Sequence, residues 1–470
     1  MLAVLLARHE MWRDELQAWL LARDSAGLTD LWANTRYEGH PLTWHLLLFP
    51  LAHAGFGPAA MQVLHWLLAV GAASLIALTA PLPLWVRGAA LFGYLPLYEY
   101  GAISRNYALT VLLIVAACAA LAGRKTRFAG GAAALAACAS PMGMLLAPAL
   151  GVAIAGGRGE RRHRVAAVAL VAVGLVAAVL QVLPPPDYEH GRGWHLGWEP
   201  QRAAYVAWIH ARALLPVVQP RLNFWETSVL FPSPIAGDGV SLFPTVLAGS
   251  VLAAALLGVA WLVRRSIPLL LAWAAGAGAL LLFAYTKFPG ATRHNGFLWV
   301  WLVAVLWLAV SSGVVTRRAA TLVLAPTLLA GLVGAGIAAT WDLRAPFSAA
   351  EAAARELRDR DLLGLPLVGG VDFATSGVAA FAPERRLYYP AIGRDGTFVV
   401  WNLERLRQNA LASADLVEAA RRCDRGRGAV LLTSSVIPAE ARAGCSELFV
   451  VAPTIVPDES LWAYRCGGKR

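Results

Sequence analysis

Long apolar runs separated by short polar loops occupy most of the chain between residues 59 and 341. A helix needs about 20 mostly apolar residues, and at least about 17, to cross a bilayer. Runs of roughly this length predict membrane-spanning helices at 59–80, 104–122, 165–183, 244–263, 267–285, 297–315 and 319–341. The pattern therefore predicts an all-α polytopic membrane bundle.

Shorter apolar stretches add further helices to this bundle. Residues 88–100 run from basic Arg87 to a polar cluster, and the chain then returns to another basic loop, so we expect this stretch to cross. The run 129–157 carries Ser140-Pro141 at its centre. This predicts a tight hairpin of two short helices, because proline interrupts a helix.

Two N-terminal stretches are too short to cross. If residues 42–56 spanned the membrane, every later loop would change sides, so we interpret them as an interfacial or re-entrant helix on the outer face. Residues 1–7 are apolar but lack the basic region of a signal peptide, and we interpret them as the end of a truncated first helix. The total is then about 10–11 transmembrane helices.

The basic residues are concentrated in short loops between apolar runs. These loops hold twelve basic residues and one acid, Glu160, so they account for the whole formal net charge of +11. Lys and Arg in short loops mark the cytoplasmic side of a membrane protein. They explain the basic balance without a nucleic-acid partner. The basic residues are Arg87; Arg124, Lys125 and Arg127; Arg158, Arg161, Arg162 and Arg164; Arg264 and Arg265; and Arg317 and Arg318.

The same parity places three longer loops on the non-cytoplasmic side. These outer loops are 8–41, 184–243 and 286–296. Together with the spans they form a predicted transmembrane domain over residues 1–341. The tail, residues 342–470, then also lies outside the cytoplasm.

The tail has the texture of a small α/β domain. Helix-like stretches at 348–361 and 403–423 alternate with strand-like runs at 366–371, 428–435 and 447–452. It contains no Walker or GxGxxG pattern, which argues against a nucleotide site. Three cysteines allow one disulfide, but the sequence does not choose the pair among Cys423, Cys445 and Cys466.

The first outer loop holds the most informative group of polar residues. Asp14 and Glu15 are adjacent, and residues 13–23 have helical spacing of Leu16, Trp19 and Leu20 on one face. A short surface helix would present the two carboxylates to a cavity. The alternative is an amphipathic interfacial helix whose charges are solvated.

Three short motifs occur in order along this part of the chain: the acidic pair Asp14-Glu15, Glu38-Gly39-His40-Pro41 before an apolar stretch, and the segment SRNYAL at 104–109. With these motifs the chain resembles the GT-C superfamily of polyprenyl-phosphate-sugar glycosyltransferases, near the protein O-mannosyltransferase and aminoarabinose-transferase branch. The resemblance covers roughly residues 1–341. It implies that Asp14 is the catalytic residue and that Glu15 matches the second position of the acidic pair.

Transfer of a sugar from a lipid phosphate to a hydroxyl needs a base and a cationic site. A carboxylate removes the acceptor proton, and cations neutralise the departing phosphate. Asp14 is our candidate base, and a single displacement would invert the anomeric centre. Glu38 and His40 are predicted to line the substrate cavity.

The outer loop 286–296 supplies candidate cations for the donor phosphate. Lys287, Arg293 and His294 lie close together beside two glycines, and Arg105 is a further candidate on another loop. Arginine can bind a phosphate in a bidentate manner. The alternative is that these basic groups reach the lipid headgroups from the membrane boundary.

A third outer cluster contains Glu99, Arg105, Asn106 and Tyr107. GT-C enzymes often carry a second acidic residue in this loop, sometimes as a metal ligand, and the resemblance places Glu99 nearest to that position. Glu99 and Tyr107 are therefore predicted to line the substrate cavity. An ion pair between Glu99 and Arg105 is the alternative. A divalent metal is left open, and we assign no metal ligand.

The loop 184–243 is long enough to cover a site. It is predicted to contain a surface helix near 200–215, and it carries Trp194, His195 and Trp198. The aromatic rings can stack on a sugar face, but interfacial anchoring is the simpler role for tryptophan in a membrane protein. In the tail, we expect five residues to lie on the polar surface of an α/β domain and assign them no catalytic role: Asp372, Arg385, Arg386, Tyr388 and Tyr389.

The sequence thus predicts an integral-membrane glycosyltransferase, of hexosyl- or pentosyltransferase type. Its partners would be the lipid bilayer, a polyprenyl-phosphate sugar donor, and a glycan, lipid or protein acceptor, with no nucleic acid. An Ala-, Gly- and Arg-rich composition suggests a bacterial inner membrane. The rival interpretations are a transporter or lipid flippase, which intramembrane charges would favour, and a non-catalytic membrane scaffold.

Overall fold

The computed structural model describes residues 1–190, 193–237 and 239–468. The chain is mostly helical and carries a C-terminal sheet domain. Within these residues, six helices are long and apolar enough to cross a membrane, which supports the predicted membrane character. They are Ala59–Thr79, Arg161–Val182, Leu242–Val263, Ile267–Thr286, Thr292–Ser311 and Arg317–Asp342. The helix Thr292–Ser311 has a break at Gly296. The larger total of about 10–11 spans stays a prediction.

The predicted span at 104–122 is shorter than expected, because its helix starts only at Tyr107 and ends at Ala122. The predicted hairpin is confirmed as two helices, Thr126–Ala139 and Pro141–Ala155. Ser140 caps the second helix, and its hydroxyl accepts the Gly143 N–H at 3.1 Å. A proline at the first helical position needs no such partner, so Ser140-Pro141 fixes the turn.

Small residues let the neighbouring helices approach closely. A Cβ atom added to Gly130 would lie 2.6 Å from Ala167, and one added to Gly174 would lie 2.7 Å from Ala134. Such contacts between backbones are typical of helices packed in a membrane, where dispersion rather than the hydrophobic effect drives association.

The stretch 88–100 does not form one continuous helix. It is divided between the helix Leu84–Leu91 and a π-helical turn, Tyr94–Glu99. Pro96 lies in that turn and cannot donate a backbone hydrogen bond. The irregular backbone is buried within the protein, a setting in which a membrane domain tolerates it.

The two N-terminal helices are short. Thr43–His53 has eleven residues and is therefore about 16 Å long, roughly half of the hydrocarbon thickness. This length fits the predicted interfacial or re-entrant helix. Leu2–Arg8 has seven residues.

The basic loops gather at one end of the bundle. The Arg158 guanidinium donates to the Ser312 carbonyl at 3.4 Å, and Gly156 packs against Pro268. The outer loops meet at the opposite end. They contain the helices Arg13–Asp24, Leu28–Thr35 and Pro200–Leu214. The sequence predicted the first and the last of these helices. The outer loops also contain a two-stranded ribbon of β1 (Ile235–Ala236) and β2 (Gly239–Val240).

The C-terminal domain is built on a six-stranded mixed sheet. The strands are β3 (Leu367–Gly369), β4 (Leu387–Tyr389), β5 (Arg394–Gly396), β6 (Ala429–Thr433), β7 (Cys445–Val451) and β8 (Leu461–Cys466), in the order β5-β4-β3-β6-β8-β7. Strand β3 is parallel to β4 and β6, and the other pairs are antiparallel. The main helices are Ala350–Asp359 and Ser413–Cys423, with short turns at Asp372–Thr375, Val378–Phe381, Leu403–Ala410, Ala439–Ala441 and Pro457–Glu459.

Two features of this domain were open or wrong in the sequence analysis. The disulfide joins Cys445 and Cys466 across β7 and β8, and Cys423 is free. The expectation that Asp372 and Tyr389 are polar surface residues is wrong, because both side chains are buried. The Asp372 carboxylate instead pairs with the Arg405 guanidinium at 2.8 Å, because a buried charge requires a partner.

Candidate functional site

The adjacent carboxylates Asp14 and Glu15 point in different directions because they open a helix. Successive residues of a helix are about 100° apart around its axis. Glu15 turns back over the helix start, where its carboxylate accepts the Trp12 N–H at 3.1 Å. Asp14 keeps about a quarter of its side chain exposed and lines a cavity. The sequence predicted both as catalytic residues, but the structure brings only Asp14 to the cavity.

Glu15 belongs to a buried charge network. The His9 ring lies between two carboxylates, with Nε2 3.0 Å from Glu15 and Nδ1 3.1 Å from Asp342. Burial lowers the pKa of His9, but Asp342 and Glu15 outweigh this effect and raise it to about 10. The charged ring therefore ties the start of the helix Arg13–Asp24 to the end of the last long helix.

Two guanidinium groups face the Asp14 carboxylate. Arg293 Nη2 lies 3.1 Å and Arg105 Nη1 3.5 Å from Asp14 Oδ2, and Arg105 also donates to the Asp14 backbone carbonyl. Burial raises the pKa of Asp14, but the two arginines lower it more, so its net shift is downward. Asp14 is thus an ionised carboxylate at neutral pH.

Arg293 is held in place from several sides. Its guanidinium carbon lies 5.1 Å from the Trp12 ring and 5.2 Å from the Trp225 ring, within cation–π range. Its backbone carbonyl accepts the Tyr100 hydroxyl at 2.9 Å. These contacts fix the group before any ligand binds.

Sequence analysis missed Glu226, which lies beside Arg293. Glu226 is 3.9 Å from Arg293, pairs with Arg212, and accepts the Thr292 N–H at 3.1 Å. No sequence motif identified Glu226, because it is a single residue of the long loop 184–243 with no recognisable pattern around it. It fixes the helix Thr292–Asn295, which carries Arg293.

The cavity beside Asp14 has a volume of about 130 Å³. The predicted residues Glu38, His40 and Arg105 line it, as does Arg13. The Glu38 carboxylate accepts the Gln17 amide at 2.7 Å. Burial raises the pKa of Glu38 to about 7. Burial and the charge of Arg105 lower the pKa of His40 to about 3, so its ring is neutral.

The tail domain completes this cavity. The sequence analysis had assigned no tail residue to the site. The Gln17 side-chain amide exchanges two hydrogen bonds with the Val399 backbone, at 2.7 and 2.9 Å. The lining residues that lie far along the chain from the first outer loop are Tyr188, His190, Phe373, Ser376, Val399 and Trp401. No local pattern could have identified them, since they meet only through the fold.

His294 and Tyr107 are not among the residues that line the cavity, although the Arg105 guanidinium carbon lies 5.8 Å from the centre of the Tyr107 ring. The Tyr107 hydroxyl is 2.8 Å from His294 Nε2, and the Ala291 N–H donates to His294 Nδ1 at 2.9 Å. Tyr107 also makes an edge contact with the His40 ring. The pair therefore supports the cavity wall. A direct contact of His294 or Tyr107 with a ligand would need a rearrangement.

Glu99 and Lys287 also lie away from the cavity lining. Glu99 is fully buried and accepts the Tyr94 hydroxyl at 2.8 Å and the Trp225 indole N–H at 3.0 Å. These bonds replace the ion pair with Arg105 that was one of its predicted roles. Lys287 donates to the His190 carbonyl at 2.7 Å and lies over the Trp194 ring.

Among the described residues, no three His, Cys, Asp or Glu side chains converge in a way that could hold a metal ion.

The chain matches no protein-family model, no curated protein and no solved structure. The functional argument therefore rests on the arrangement of its own side chains.

We expect replacement of Glu15 by Gln to destabilise the protein. The change removes one carboxylate from a buried charge network, which costs about 3–5 kcal/mol of unfolding free energy. The matched control is Glu384→Gln on the exposed surface of the tail, for which we expect a change within about 0.5 kcal/mol. Unfolding in detergent would measure both. Equal stability of the two variants would contradict the structural role of Glu15.

We expect Glu38 to make stability depend on pH. Its carboxyl binds a proton more tightly in the folded chain, with a pKa of about 7 against an ordinary 4.5. As pH rises from 4.5 to 7, the unfolded chain releases this proton first, so the contribution of Glu38 to stability falls. Glu38→Gln should therefore gain thermal stability relative to the wild type on moving from about pH 5 to about pH 8. A constant difference in unfolding midpoint would contradict the assignment.

Proposed function

We propose that this protein is a membrane glycosyltransferase that transfers a sugar from a polyprenyl-phosphate donor to an acceptor hydroxyl. The observation that carries the proposal is the Asp14 carboxylate held between Arg105 and Arg293 at the edge of a cavity. The set combines an ionised base with two fixed cations. These are the two functions that such a transfer requires.

The reaction can be written on these residues alone. The acceptor oxygen attacks the anomeric carbon, the bond from that carbon to the phosphate oxygen breaks, and the acceptor proton passes to Asp14. The configuration at the anomeric carbon is inverted, because only one displacement occurs. The electron pair of the broken bond leaves with the polyprenyl phosphate.

The ion pairs couple the proton to the phosphate. In the resting protein, the two guanidinium groups are balanced mainly by Asp14. When Asp14 takes the proton it loses its charge, and the departing phosphate anion can replace it as the partner of both arginines. The base and the phosphate clamp therefore work in sequence without a change in total charge.

An apolar cavity among the helices supports a lipid-linked donor. It has a volume of about 320 Å³ and lies between the helices Ala59–Thr79, Tyr107–Ala122 and Phe297–Ser311. Tyr100 lines this cavity, and its hydroxyl donates to the Arg293 carbonyl. A prenyl chain in this space would thus approach the residue that binds its phosphate.

The cysteines support a non-cytoplasmic position for the tail. Disulfides such as Cys445–Cys466 persist in oxidising compartments and are rare in the cytosol. The tail also contacts the same end of the bundle as the outer loops. Both observations agree with the side assigned from the basic loops, and we propose that the chain is a multi-pass protein of a bacterial inner membrane with its tail in the periplasm.

We expect Asp14→Asn to lower sugar transfer by about 100-fold or more, because it removes the base without a change in size. The assay follows transfer from a panel of labelled polyprenyl-phosphate sugars by purified protein in liposomes. The matched control is Asp30→Asn, since Asp30 lies in the same outer loop, accepts the Ala26 N–H and is not among the residues that line the cavity.

Two outcomes would overturn parts of this proposal. If the wild type transfers no sugar from any donor of the panel, the enzyme proposal fails. If Asp14→Asn keeps the activity of the Asp30→Asn control, transfer does not depend on Asp14 and the assignment of the base fails.

A further inference from the structure

The cavity beside Asp14 is lined by two chemically different groups of side chains. The first is cationic and contains Arg13 and Arg105. The second, which we call the aromatic wall, consists of Tyr188, His190, Phe373 and Trp401, and the Arg13 guanidinium carbon lies 4.8 Å from the centre of the Phe373 ring. The cationic group suits a phosphate, but it gives no reason for a group of aromatic rings in the same lining.

The aromatic wall is assembled from two distant parts of the chain. The outer loop 184–243 and the tail meet in a short antiparallel pairing. The Glu189 N–H donates to the Trp401 carbonyl at 2.9 Å, and the Leu403 N–H donates to the Asp187 carbonyl at 2.8 Å. The pairing places Tyr188 and Trp401 on the same cavity.

A buried arginine fixes this pairing. Arg405 forms ion pairs with Glu189 of the loop at 2.6 Å and with Asp372 of the tail at 2.8 Å. Its guanidinium carbon also lies 4.3 Å from the centre of the Trp401 ring. Ordering the rings in advance reduces the entropy that a ligand would otherwise lose on binding.

Hydrogen-bonding groups border the wall. Trp401 interacts with the Glu38 carboxylate through its side chain, and Gln17 orients the same carboxylate. Burial raises the pKa of Glu38 to about 7, so near neutral pH this carboxyl can either donate to or accept from a hydroxyl. The cavity therefore offers flat apolar surfaces next to a polar edge.

A sugar ring has the complementary chemistry. Its C–H face can lie against an aromatic ring, while its hydroxyls bond to a carboxyl at the edge. The volume of about 130 Å³ is below the roughly 300–1,000 Å³ of pockets for larger ligands, so the site suits one ring at a time. Interfacial anchoring does not account for Trp401, which belongs to the tail and is half-buried in the cavity wall.

We propose that the aromatic wall, completed by Trp401 of the tail domain, is a binding subsite for a pyranose ring. The proposal rests on the proposed transferase function for its place in the reaction, because either the donor sugar or a sugar of the acceptor could supply the ring. It gives the tail domain a direct part in substrate binding.

Binding can be tested without activity. Ligand-observed NMR with methyl glycosides of glucose, mannose and galactose would measure binding to the full-length protein in detergent, with sorbitol as the non-ring control. We expect Trp401→Ala to weaken glycoside binding about ten-fold, a typical value for loss of a stacked ring. Trp198→Ala is the matched control, because Trp198 is an exposed tryptophan of the outer loop that stacks on Tyr285.

A second variant keeps the test independent of a folding defect. Tyr188→Ala removes a ring from the loop side of the wall, and thermal unfolding identifies any variant that is not folded. If a folded Trp401→Ala and a folded Tyr188→Ala both bind the glycosides as the wild type does, the subsite is refuted. Absence of glycoside binding by the wild type at tens of millimolar refutes it as well.

Kinetics then distinguish the source of the ring. For an acceptor sugar, Trp401→Ala lowers transfer but leaves slow hydrolysis of the donor unchanged. For a donor sugar, the variant raises the donor KM in both reactions. Glycoside binding that depends on Trp401 in a protein that transfers no sugar would support the subsite while refuting the transferase. Normal sugar transfer by a Trp401→Ala variant with unchanged glycoside binding would support the transferase while refuting the subsite.

Discussion

Charged groups that are largely buried within a protein need partners there, because they have lost most of their contact with water. Asp14 meets this requirement by facing Arg105 and Arg293, which come from two other outer segments. Arg293 is in turn held by two tryptophans and by Glu226. One carboxylate thus brings separate loops to one place, and the cavity lies where they meet.

A second set of ion pairs makes this arrangement rigid. Glu15, His9 and Asp342 connect the start of the Asp14 helix to the end of the last long helix, and Arg405 connects the outer loop to the tail. An intact buried pair adds little net stability, but loss of one partner leaves the other charge uncompensated, so these groups hold the connected elements in place. The tail is therefore part of the site rather than an appended domain. Its residues Val399 and Trp401 complete a cavity that begins in the first outer loop.

Sequence reasoning succeeded where the physics is local. Apolar runs predicted the long helices, and alternating patterns predicted a sheet domain in the tail. It also drew attention to Asp14, Arg105 and Arg293, which the fold brings together. It chose Asp14 as the base but could not show that Glu15 is kept from the cavity, because that difference arises from a helix start that buries Glu15 and leaves Asp14 partly exposed. Nor could it find Glu226 or Trp401, since only tertiary contacts place these residues beside residues distant in the chain.

The central claim is that Arg105 and Arg293 receive the phosphate of a lipid-linked donor beside Asp14. The most direct test is a cryo-electron microscopy structure of the protein in nanodiscs with polyprenyl phosphate. We expect the phosphate to lie within about 3 Å of both guanidinium groups, with the prenyl chain in the apolar cavity that Tyr100 lines. A phosphate bound elsewhere, with both arginines still closed on Asp14, would contradict it.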